Sequence, residues 1–288
     1  MIKKSLTGYF LSFPAVTLIL IIYVIPTVVV LLISFTDYTL VRDNFDFVGG
    51  ENYAKMFTDE VFLNSLSTTI IYALIVLPVG FGTGLFIAIS IFEKKKFKSL
   101  FEVFYFMPVT STLTAMALVW NALLDPIGII NSTITFFGGE KIAFLGSGDI
   151  VLYSLALISL WSIIGFNMVL FLAGLTAIPG HLYDAGKIDG INSSFDKFIY
   201  ITWPMLAPTS MFVAVTNSIN AFKLFDIVAI LTQGGPDRAS EVFLYLTYLE
   251  AFEYFNMGYA SALSIVFLGI IFVFALLQAR FIDKKVNY

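Results

Sequence analysis

Two charged side chains, Lys223 and Asp226, lie three residues apart within a long apolar run. In a helix that spacing places both side chains on one face. A charge inside a membrane-spanning helix costs about 3 kcal/mol unless it is paired or in contact with water, so such residues are functional candidates by default. A structural ion pair near the outer end of the helix is the alternative.

Amide and aromatic side chains accompany this pair in neighbouring apolar sequence. Amides and an aromatic ring suit a sugar, which offers hydroxyl groups and flat CH faces. Polar residues between helices also serve in helix packing, and this alternative stays open. The candidate contacts for a polar solute are Trp161, Asn167, Asn217, Asn220, Lys223 and Asp226.

Residues for catalysis or metal binding are scarce. The chain has no cysteine and one histidine, His181, so thiol nucleophiles, disulfides and cysteine-based metal sites are excluded. No histidine or carboxylate constellation occurs in or near the apolar runs, and the G-x-x-x-x-G-K-S/T pattern of ATP-binding loops is absent. We therefore predict a chain that is not an enzyme and binds no metal or cofactor. We expect His181 to cap the segment that it begins.

The composition indicates which elements must position the candidate residues. Of 288 residues, 59% are hydrophobic and 12% are charged, against roughly 45–50% and about 25% in soluble domains. A membrane span needs about 20 apolar residues. We predict an all-α polytopic membrane protein with about six transmembrane helices, in which residues 1–288 form a single transmembrane domain. The predicted spans are Tyr9–Phe35, Phe62–Phe92, Phe101–Leu124, Val151–Ile178, Ile199–Leu231 and Met257–Phe281.

The first run is longer than the apolar core of a signal peptide and carries Pro14 and Pro26, so we predict an uncleaved first span. Basic residues then orient the bundle, because cytoplasmic loops carry an excess of Lys and Arg. Of the 16 basic residues, four fall in the predicted outer loops and Lys223 falls in a span. The other eleven predict that both termini are cytoplasmic: Lys3, Lys4, Lys94, Lys95, Lys96, Lys98, Lys187, Lys197, Arg280, Lys284 and Lys285.

A polar segment, His181–Pro208, separates the fourth and fifth predicted spans and falls on the cytoplasmic side. Leu182, Ala185 and Ile188 recur every three residues and predict one apolar stripe on a short helix. A second short helix is predicted over Ser194–Tyr200. Such a segment can anchor at the membrane surface or dock a soluble partner, and the residues alone leave both possibilities open.

The polar segment resembles the EAA loop of binding-protein-dependent ABC importer permeases, whose pattern is roughly E-A-A-x-x-x-G followed by a hydrophobic-x-L-P. Here it reads Asp184-Ala185-Gly186-Lys187-Ile188-Asp189-Gly190 and then Ile201-Thr202-Trp203-Pro204. The departures from the pattern are Asp184, Gly186 and Ile191.

Further short motifs extend the resemblance to the carbohydrate-importing branch of these permeases along most of the chain. They occur in the expected order: Gly50-Glu51-Asn52-Tyr53 with Asn64, Phe106-Met107-Pro108, Trp120 with Asp125-Pro126 and Asn131, Gly174-Leu175 with Ile178-Pro179, Thr232-Gln233-Gly234-Gly235-Pro236, and Gly258-Tyr259-Ala260-Ser261-Ala262.

The resemblance implies the type I importer permease fold and a multi-pass protein of the bacterial cytoplasmic membrane. It implies a permease subunit that forms half of an ATP-driven pathway for a sugar or oligosaccharide by alternating access. A permease for glycerol-phosphate or another small polar solute is the alternative. A secondary transporter is a further alternative, but it would need internal repeats or buried ion-site carboxylates, and only Asp226 falls in a span.

The implied partners are the lipid bilayer, a second homologous permease, two copies of a cytoplasmic ATPase that uses ATP and Mg, and an extracellular solute-binding protein; nucleic acid is not among them. Residues 181–200 correspond to the cytoplasmic coupling loop, one helix of which would sit in a cleft of the ATPase. The residues implied in this coupling are Tyr183, Asp184, Ala185, Gly186, Ile188, Asp189, Gly190 and Pro204.

Overall fold

The computed structural model describes residues 6–42, 44–94 and 98–283. Six lysines on which the predicted orientation rests lie outside these ranges, so the placement of both termini in the cytoplasm stays a prediction. They are Lys3, Lys4, Lys95, Lys96, Lys284 and Lys285.

The described residues form fifteen α-helices, joined in places by π-helical or 3₁₀ turns. The helices are α1 (Leu6–Ile19), α2 (Ile25–Ile33), α3 (Glu51–Met56), α4 (Glu60–Phe92), α5 (Lys98–Phe106), α6 (Leu113–Leu124), α7 (Ile129–Phe136), α8 (Val151–Thr176), α9 (Gly180–Ile188), α10 (Ser194–Lys197), α11 (Trp203–Met205), α12 (Ala207–Phe222), α13 (Asp226–Leu231), α14 (Phe243–Tyr248) and α15 (Met257–Asp283). The π-helical turns are Leu20–Val24, Phe198–Thr202 and Leu249–Glu253, and the 3₁₀ turn is Met107–Thr110.

Six helical stretches are long and apolar enough to cross a membrane, which confirms the predicted number of spans. They are Gly8–Ile33, Glu60–Phe92, Leu113–Phe136, Val151–Thr176, Ala207–Leu231 and Met257–Gln278. The described residues otherwise contain a single isolated antiparallel bridge, between Thr36 and Phe47.

The chain divides into two compact units. Unit 1 contains the residues up to Leu63 and Leu246–Gly269, and unit 2 contains Asn64–Tyr245 and the residues from Ile270. The prediction of one transmembrane domain over the whole chain stays a prediction.

Unit 1 joins the sequence that follows the first span to the start of α15. The Asn52 side chain donates hydrogen bonds to the carbonyls of Ser34 and Thr36, both at 2.9 Å. The Tyr259 hydroxyl donates to the Asp59 carboxylate at 2.7 Å. Two of the short motifs noted in the sequence therefore hold the chain between the first and second spans in place.

The core of unit 2 lies between α4, α8 and the start of α12. Ala88 from α4, Met168 and Phe171 from α8, and Leu206 and Val213 are all fully buried in this cluster. On the same side of α4, a Cβ atom added to Gly84 would lie 2.7 Å from Asn167 Cβ, so α4 and α8 approach closely there. Small residues that allow such an approach are typical of membrane helix packing.

The predicted third span, Phe101–Leu124, is wrong as one helix. It is divided into α5 and α6 by the 3₁₀ turn at Met107–Thr110, in which Pro108 is buried. Proline has no backbone N–H to continue an α-helix. Thr112 then takes an extended conformation and its hydroxyl accepts from the N–H of Ala115, so it caps the start of α6.

The predicted fifth span, Ile199–Leu231, is also interrupted. Its first residues belong to the π-helical turn Phe198–Thr202 and to α11, and the remainder is split into α12 and α13 by a break at residues 223–225. Phe225 has φ −143° and ψ −61°, outside the helical region. This break positions the charged residues considered below.

Candidate functional site

The end of α9 explains why the last residue of the Asp184–Gly190 motif is a glycine. Gly190 has φ +86°, in the left-handed region that favours glycine. Its N–H donates to the carbonyl of Lys187 at 3.2 Å, and the N–H of Ile191 donates to the carbonyl of Gly186 at 2.8 Å. These two bonds form the Schellman motif that terminates many helices. The turn at Asp189 and Gly190 is therefore fixed by hydrogen bonds.

The packed side of α9 differs from the predicted apolar stripe. Leu182 and Tyr183 pack against the core of unit 2, and Gly186 is buried. Ala185 is exposed, and Ile188 has 88% of its surface exposed. Of the three residues of the predicted apolar stripe, Leu182 packs on the core, whereas Ala185 and Ile188 face solvent.

Gly186 lies against Ile201, which accounts for its departure from the family pattern. A Cβ atom at position 186 would lie 2.6 Å from Ile201 Cδ1. The space that an alanine methyl would fill is thus occupied by the end of an isoleucine side chain from the neighbouring π-helical turn.

The polar segment rests on the ends of two spans. A cavity of about 270 Å³ lies among Ile89, Phe92 and Glu93 of the α4 end, Leu175 of α8, and the segment itself. The Tyr183 hydroxyl is 3.1 Å from the Thr202 hydroxyl, which ties α9 to the turn before α11. Pro204 is the second residue of α11 and is exposed.

Asp184 lies in α9 and its side chain faces solvent. Its carboxylate accepts from the Lys187 ammonium at 2.9 Å. This hydrogen bond and the positive charge of Lys187 lower the pKa of Asp184 below its ordinary value, so the side chain is ionised at neutral pH. Asp189 ends the helix and is also exposed.

His181 is the second residue of α9, and its side chain is exposed. The helix begins after Pro179 with no side-chain capping hydrogen bond, so the predicted capping role of His181 is wrong. Within residues 6–42, 44–94 and 98–283, no group of three or more His, Asp or Glu side chains could hold a metal ion.

A second cavity, of about 310 Å³, lies where α12 ends. Three of the predicted solute contacts line it: Asn220, Lys223 and Asp226. The other three do not. The structure adds Tyr72 from α4, and Ser159 and Ser162 from α8, to the lining.

Lys223 and Asp226 reach this cavity from two helices, so their predicted position on one helical face is wrong. Lys223 follows the last residue of α12, and Asp226 is the first residue of α13. A cation is favoured at a helix C-terminus and an anion at a helix N-terminus. Neither takes part in an ion pair within 4.0 Å anywhere in the described part of the chain. The proposed structural ion pair is therefore not formed.

The remaining predicted contacts lie outside this cavity. Asn167 is buried against the close approach of α4 at Gly84. Asn217 is buried, and its amide donates to the carbonyl of Leu77 at 3.5 Å. Trp161 packs edge-on against Trp120, with ring centroids 5.7 Å apart.

Sequence inspection missed Tyr72, Ser159 and Ser162, because single hydroxyl side chains are common in apolar helices. The spacing of the two serines, three residues apart, places them on one face of α8 and was the available signal.

The family model for the binding-protein-dependent transport system inner membrane component matches residues 80–288, more than half of the chain. The chain belongs to this family. The resemblance noted in the sequence is thereby confirmed, and this permease is a multi-pass inner membrane protein.

Relatives match nearly the whole permease. It is 33% identical over 291 residues to the probable ABC transporter permease protein YesP of Bacillus subtilis, covering 99% of this chain and 93% of that protein. It is 31% identical over 244 residues to the sn-glycerol-3-phosphate transport system permease protein UgpA of Agrobacterium fabrum, covering 84% and 83% of the two chains.

A solved structure has the same fold. It is a bacterial ABC transporter involved in the import of the acidic polysaccharide alginate, and one of its chains superposes with a TM-score of 0.85 at 19% identity, covering 99% of this chain and 98% of that chain. The ABC importer permease fold is therefore established.

Proposed function

We propose that this permease forms half of the translocation pathway of an ATP-driven, binding-protein-dependent importer of a sugar or oligosaccharide, working by alternating access. The observation that carries the proposal is α9: its packed side rests on the core of unit 2 through Leu182 and Tyr183, and its other side presents Asp184 and Ile188 to solvent. A rigid helix seated in this way can transmit force to the spans beneath it.

The partners follow from the family. They are a second, similar permease, two copies of a cytoplasmic ATPase that binds ATP and Mg, and an extracellular solute-binding protein. ATP hydrolysis takes place on the ATPase, and this chain contributes no catalytic residue. The alginate importer has been crystallised in complex with an alginate pentasaccharide-bound periplasmic protein, which supports the binding-protein partner and a carbohydrate solute.

In the proposed mechanism the coupling loop, residues 181–200, docks in a cleft of the ATPase. Closure of the ATPase dimer on ATP displaces α9, and the packing of Tyr183 beside Thr202 passes this movement to α11 and α12. Ile188 and Phe195, exposed by 88% and 72%, are the apolar side chains available for the cleft.

A matched pair of substitutions tests the docking. Ile188→Arg places a charge in the coupling loop, and Val41→Arg places one at an exposed branched apolar residue outside it and outside the membrane-spanning helices. Loss of a buried apolar anchor costs about 2 kcal/mol or more, so we expect about thirtyfold weaker ATPase association for Ile188→Arg and little change for Val41→Arg. Association is measured by copurification and by solute-stimulated ATP hydrolysis. Hydrolysis that survives deletion of residues 184–190 would contradict the coupling assignment.

The cavity at the end of α12 is proposed as a solute contact. Lys223 and Asp226 are its charged lining residues, one of each sign, and Asn220, Ser162 and Tyr72 add groups that hydrogen-bond to hydroxyls. The two charges balance, so the lining has no net charge to attract a phosphate, and this fits a neutral, hydroxyl-rich solute better than glycerol-phosphate.

Because the chain contains no cysteine, a single introduced cysteine can be labelled without background from this chain. Asn220→Cys in the assembled importer should react with a small maleimide more slowly while a neutral sugar is being transported. Asn44→Cys, exposed between the first and second spans and outside the coupling loop, is the control and should show no protection. Equal protection by glycerol-phosphate would support the alternative solute, and protection by neither would remove the cavity from the pathway.

A further inference from the structure

One face of α4 carries a small residue at every turn. Val76, Gly80, Gly84 and Ala88 are all buried and follow one another at intervals of four, so they lie on one face of the helix, about 6 Å apart along its axis. The two glycines admit the neighbouring helices closely: a Cβ atom at Gly80 would lie 2.8 Å from Ile163 Cγ2 of α8. By itself such a row of small residues indicates close helix packing only.

Two asparagine side chains face the glycines. Asn167 of α8 is 1% exposed, and a Cβ atom at Gly84 would lie 2.7 Å from its Cβ. Asn217 of α12 is 2% exposed, and a Cβ atom at Gly80 would lie 3.4 Å from its amide nitrogen. Because the two glycines are one turn apart, the two amides lie at successive turns of α4. Three helices of unit 2 therefore meet at two buried amide side chains.

The hydrogen bonding of these amides is incomplete. In the part of the chain that the structure describes, neither polar atom of Asn167 has a hydrogen-bond partner, and neither has the amide oxygen of Asn217. The amide nitrogen of Asn217 donates to the carbonyl of Leu77 at 3.5 Å, which is long for a hydrogen bond. An unpaired polar group in a protein interior costs free energy, whereas an apolar side chain of similar size does not. This packing is therefore less favourable with asparagine at these positions than with leucine.

The backbone of α4 can supply the missing bonds. Pro78 lies directly after Leu77 and has no backbone N–H, so it interrupts the hydrogen bonding of α4 and favours a bend there. A bend at Pro78 moves the two glycines relative to the amides that face them. Each backbone carbonyl has two lone pairs and can accept a second donor, and no side chain of Gly80 or Gly84 covers the backbone on this face. A small shift of α4 can therefore bring its carbonyls to both asparagine side chains.

We propose that α4 shifts against α8 and α12 in the transport cycle, and that Asn167 and Asn217 stabilise the second arrangement by donating hydrogen bonds to the backbone of α4. The inference rests on the alternating-access function proposed above. Two arrangements interconvert when different contacts stabilise each of them. The close contact at the glycines stabilises one, and the amide hydrogen bonds stabilise the other. The asparagines lie outside the solute cavity and act on transport through the position of α4.

The shift is measured in the assembled importer, reconstituted in lipid nanodiscs with cysteine-free partner subunits. Phe86→Cys on α4 and Leu157→Cys on α8 replace exposed residues, and because the chain contains no cysteine they can carry two spin labels. Pulsed electron paramagnetic resonance gives the distance between the labels without nucleotide and after trapping with ATP and vanadate. We expect this distance to change by about 3–5 Å, at most one helical turn.

Asn167→Leu tests the amide directly. It removes two unpaired polar atoms from the arrangement described here and a hydrogen bond from the second arrangement. We expect a higher melting temperature for the nucleotide-free importer, a label distance that stays at its nucleotide-free value after trapping, and about tenfold slower solute-stimulated ATP hydrolysis, as for the loss of one buried hydrogen bond. Asn217→Leu should have the same effect on the trapped distance and on hydrolysis.

Met168→Leu is the matched control. Met168 is the adjacent residue of α8 and is fully buried, so the substitution introduces the same side chain without removing an amide. A swap of similar volume is well tolerated, and we expect the melting temperature, the label distances and the rate of hydrolysis to stay unchanged. The comparison of label distances with both asparagines present does not depend on the folding of any asparagine variant.

Three results would overturn the proposal. The first is an equal label distance in both states of an importer that still hydrolyses ATP in response to solute, which would leave the proposed function intact. The second is a lower melting temperature of Asn167→Leu with an unaltered trapped distance, which would mean that the amide stabilises the arrangement described here. The third is an equal effect of Met168→Leu and Asn167→Leu. Absence of solute-stimulated hydrolysis with both asparagines present would instead contradict the proposed function, and this inference with it.

Discussion

Lys223 follows the end of α12 and Asp226 begins α13, so two charges three residues apart in sequence occupy opposite kinds of helix end and line the same cavity. Each charge is stabilised by the dipole at the helix end beside it, without an ion pair between the two side chains. Both side chains thus stay available to a ligand in the cavity.

Exchanging the two charges tests this arrangement. Lys223→Asp with Asp226→Lys would place each charge at the helix end that disfavours it. Each favourable charge contributes about 0.3–1 kcal/mol, so the exchanged protein should unfold at a lower temperature than the neutral variant Lys223→Gln with Asp226→Asn, which should itself lie below the wild type. If the two side chains instead stabilised the protein as an ion pair, exchanging them would preserve the pair. The exchanged protein would then be as stable as the wild type and only the neutral variant would be less stable, a result that would contradict the dipole explanation.

Gly186 and Ile201 should be energetically coupled. Gly186→Ala brings a methyl group within 2.6 Å of Ile201 Cδ1, and because that atom ends a flexible side chain we expect a loss of about 1 kcal/mol in the free energy of unfolding. Ile201→Val removes Cδ1 and should restore part of the loss, so the double variant should be more stable than the sum of the single changes. A denaturation double-mutant cycle measures this coupling. Gly180→Ala, where nothing lies within 4 Å of the added methyl, should show no coupling to Ile201→Val.

The polar segment was largely predictable from the sequence, whereas the solute cavity was not. A glycine after Asp189 predicted the turn because few residues other than glycine adopt a left-handed backbone easily, and Gly190 has that backbone. The break at residues 223–225 contains neither glycine nor proline, so no local signal marked it. The predicted common face of Lys223 and Asp226 failed because α12 ends before Lys223 and a new helix begins at Asp226.

The apolar stripe of α9 did not indicate which side of the helix packs on the core. Leu182, Ala185 and Ile188 fit a helical period, but periodicity cannot tell a side that packs on the core from a side reserved for a partner. The burial of Gly186 under Ile201, contributed from fifteen residues further along the chain, decided which side of α9 packs.

Gly190 should be the least replaceable residue of the coupling loop. Gly190→Ala forces a non-glycine residue to φ +86° at a cost of about 1–2 kcal/mol. Gly190→Pro also removes the N–H that donates to Lys187. We expect Gly190→Ala to reduce solute-stimulated ATP hydrolysis, Gly190→Asn to reduce it less, and Gly190→Pro to abolish transport while the protein remains in the membrane. Gly180→Ala, in the same helix with ordinary φ, is the control. Normal uptake by Gly190→Pro would mean that another part of the chain couples ATP hydrolysis to transport.

A methyl group added to α4 should lower the stability of the protein at Gly84 but not at Gly82. A methyl group at Gly84 would lie 2.7 Å from Asn167 Cβ and 3.4 Å from the backbone nitrogen of Met168, so α4 and α8 must move apart to accommodate it. Overpacking of this kind costs about 1–3 kcal/mol. Nothing lies within 4 Å of a methyl group at Gly82, and alanine there restricts the unfolded chain and should be neutral or stabilising by up to about 1 kcal/mol.

Thermal unfolding of Gly84→Ala and Gly82→Ala in the same detergent measures the difference. The two variants add the same methyl group to the same helix two residues apart, so helix propensity and detergent binding cancel in the comparison. A lower melting temperature for Gly84→Ala alone is expected, because only that position faces α8. Equal melting temperatures would mean that α4 and α8 tolerate separation, and the close approach at Asn167 would then contribute little to the stability of unit 2.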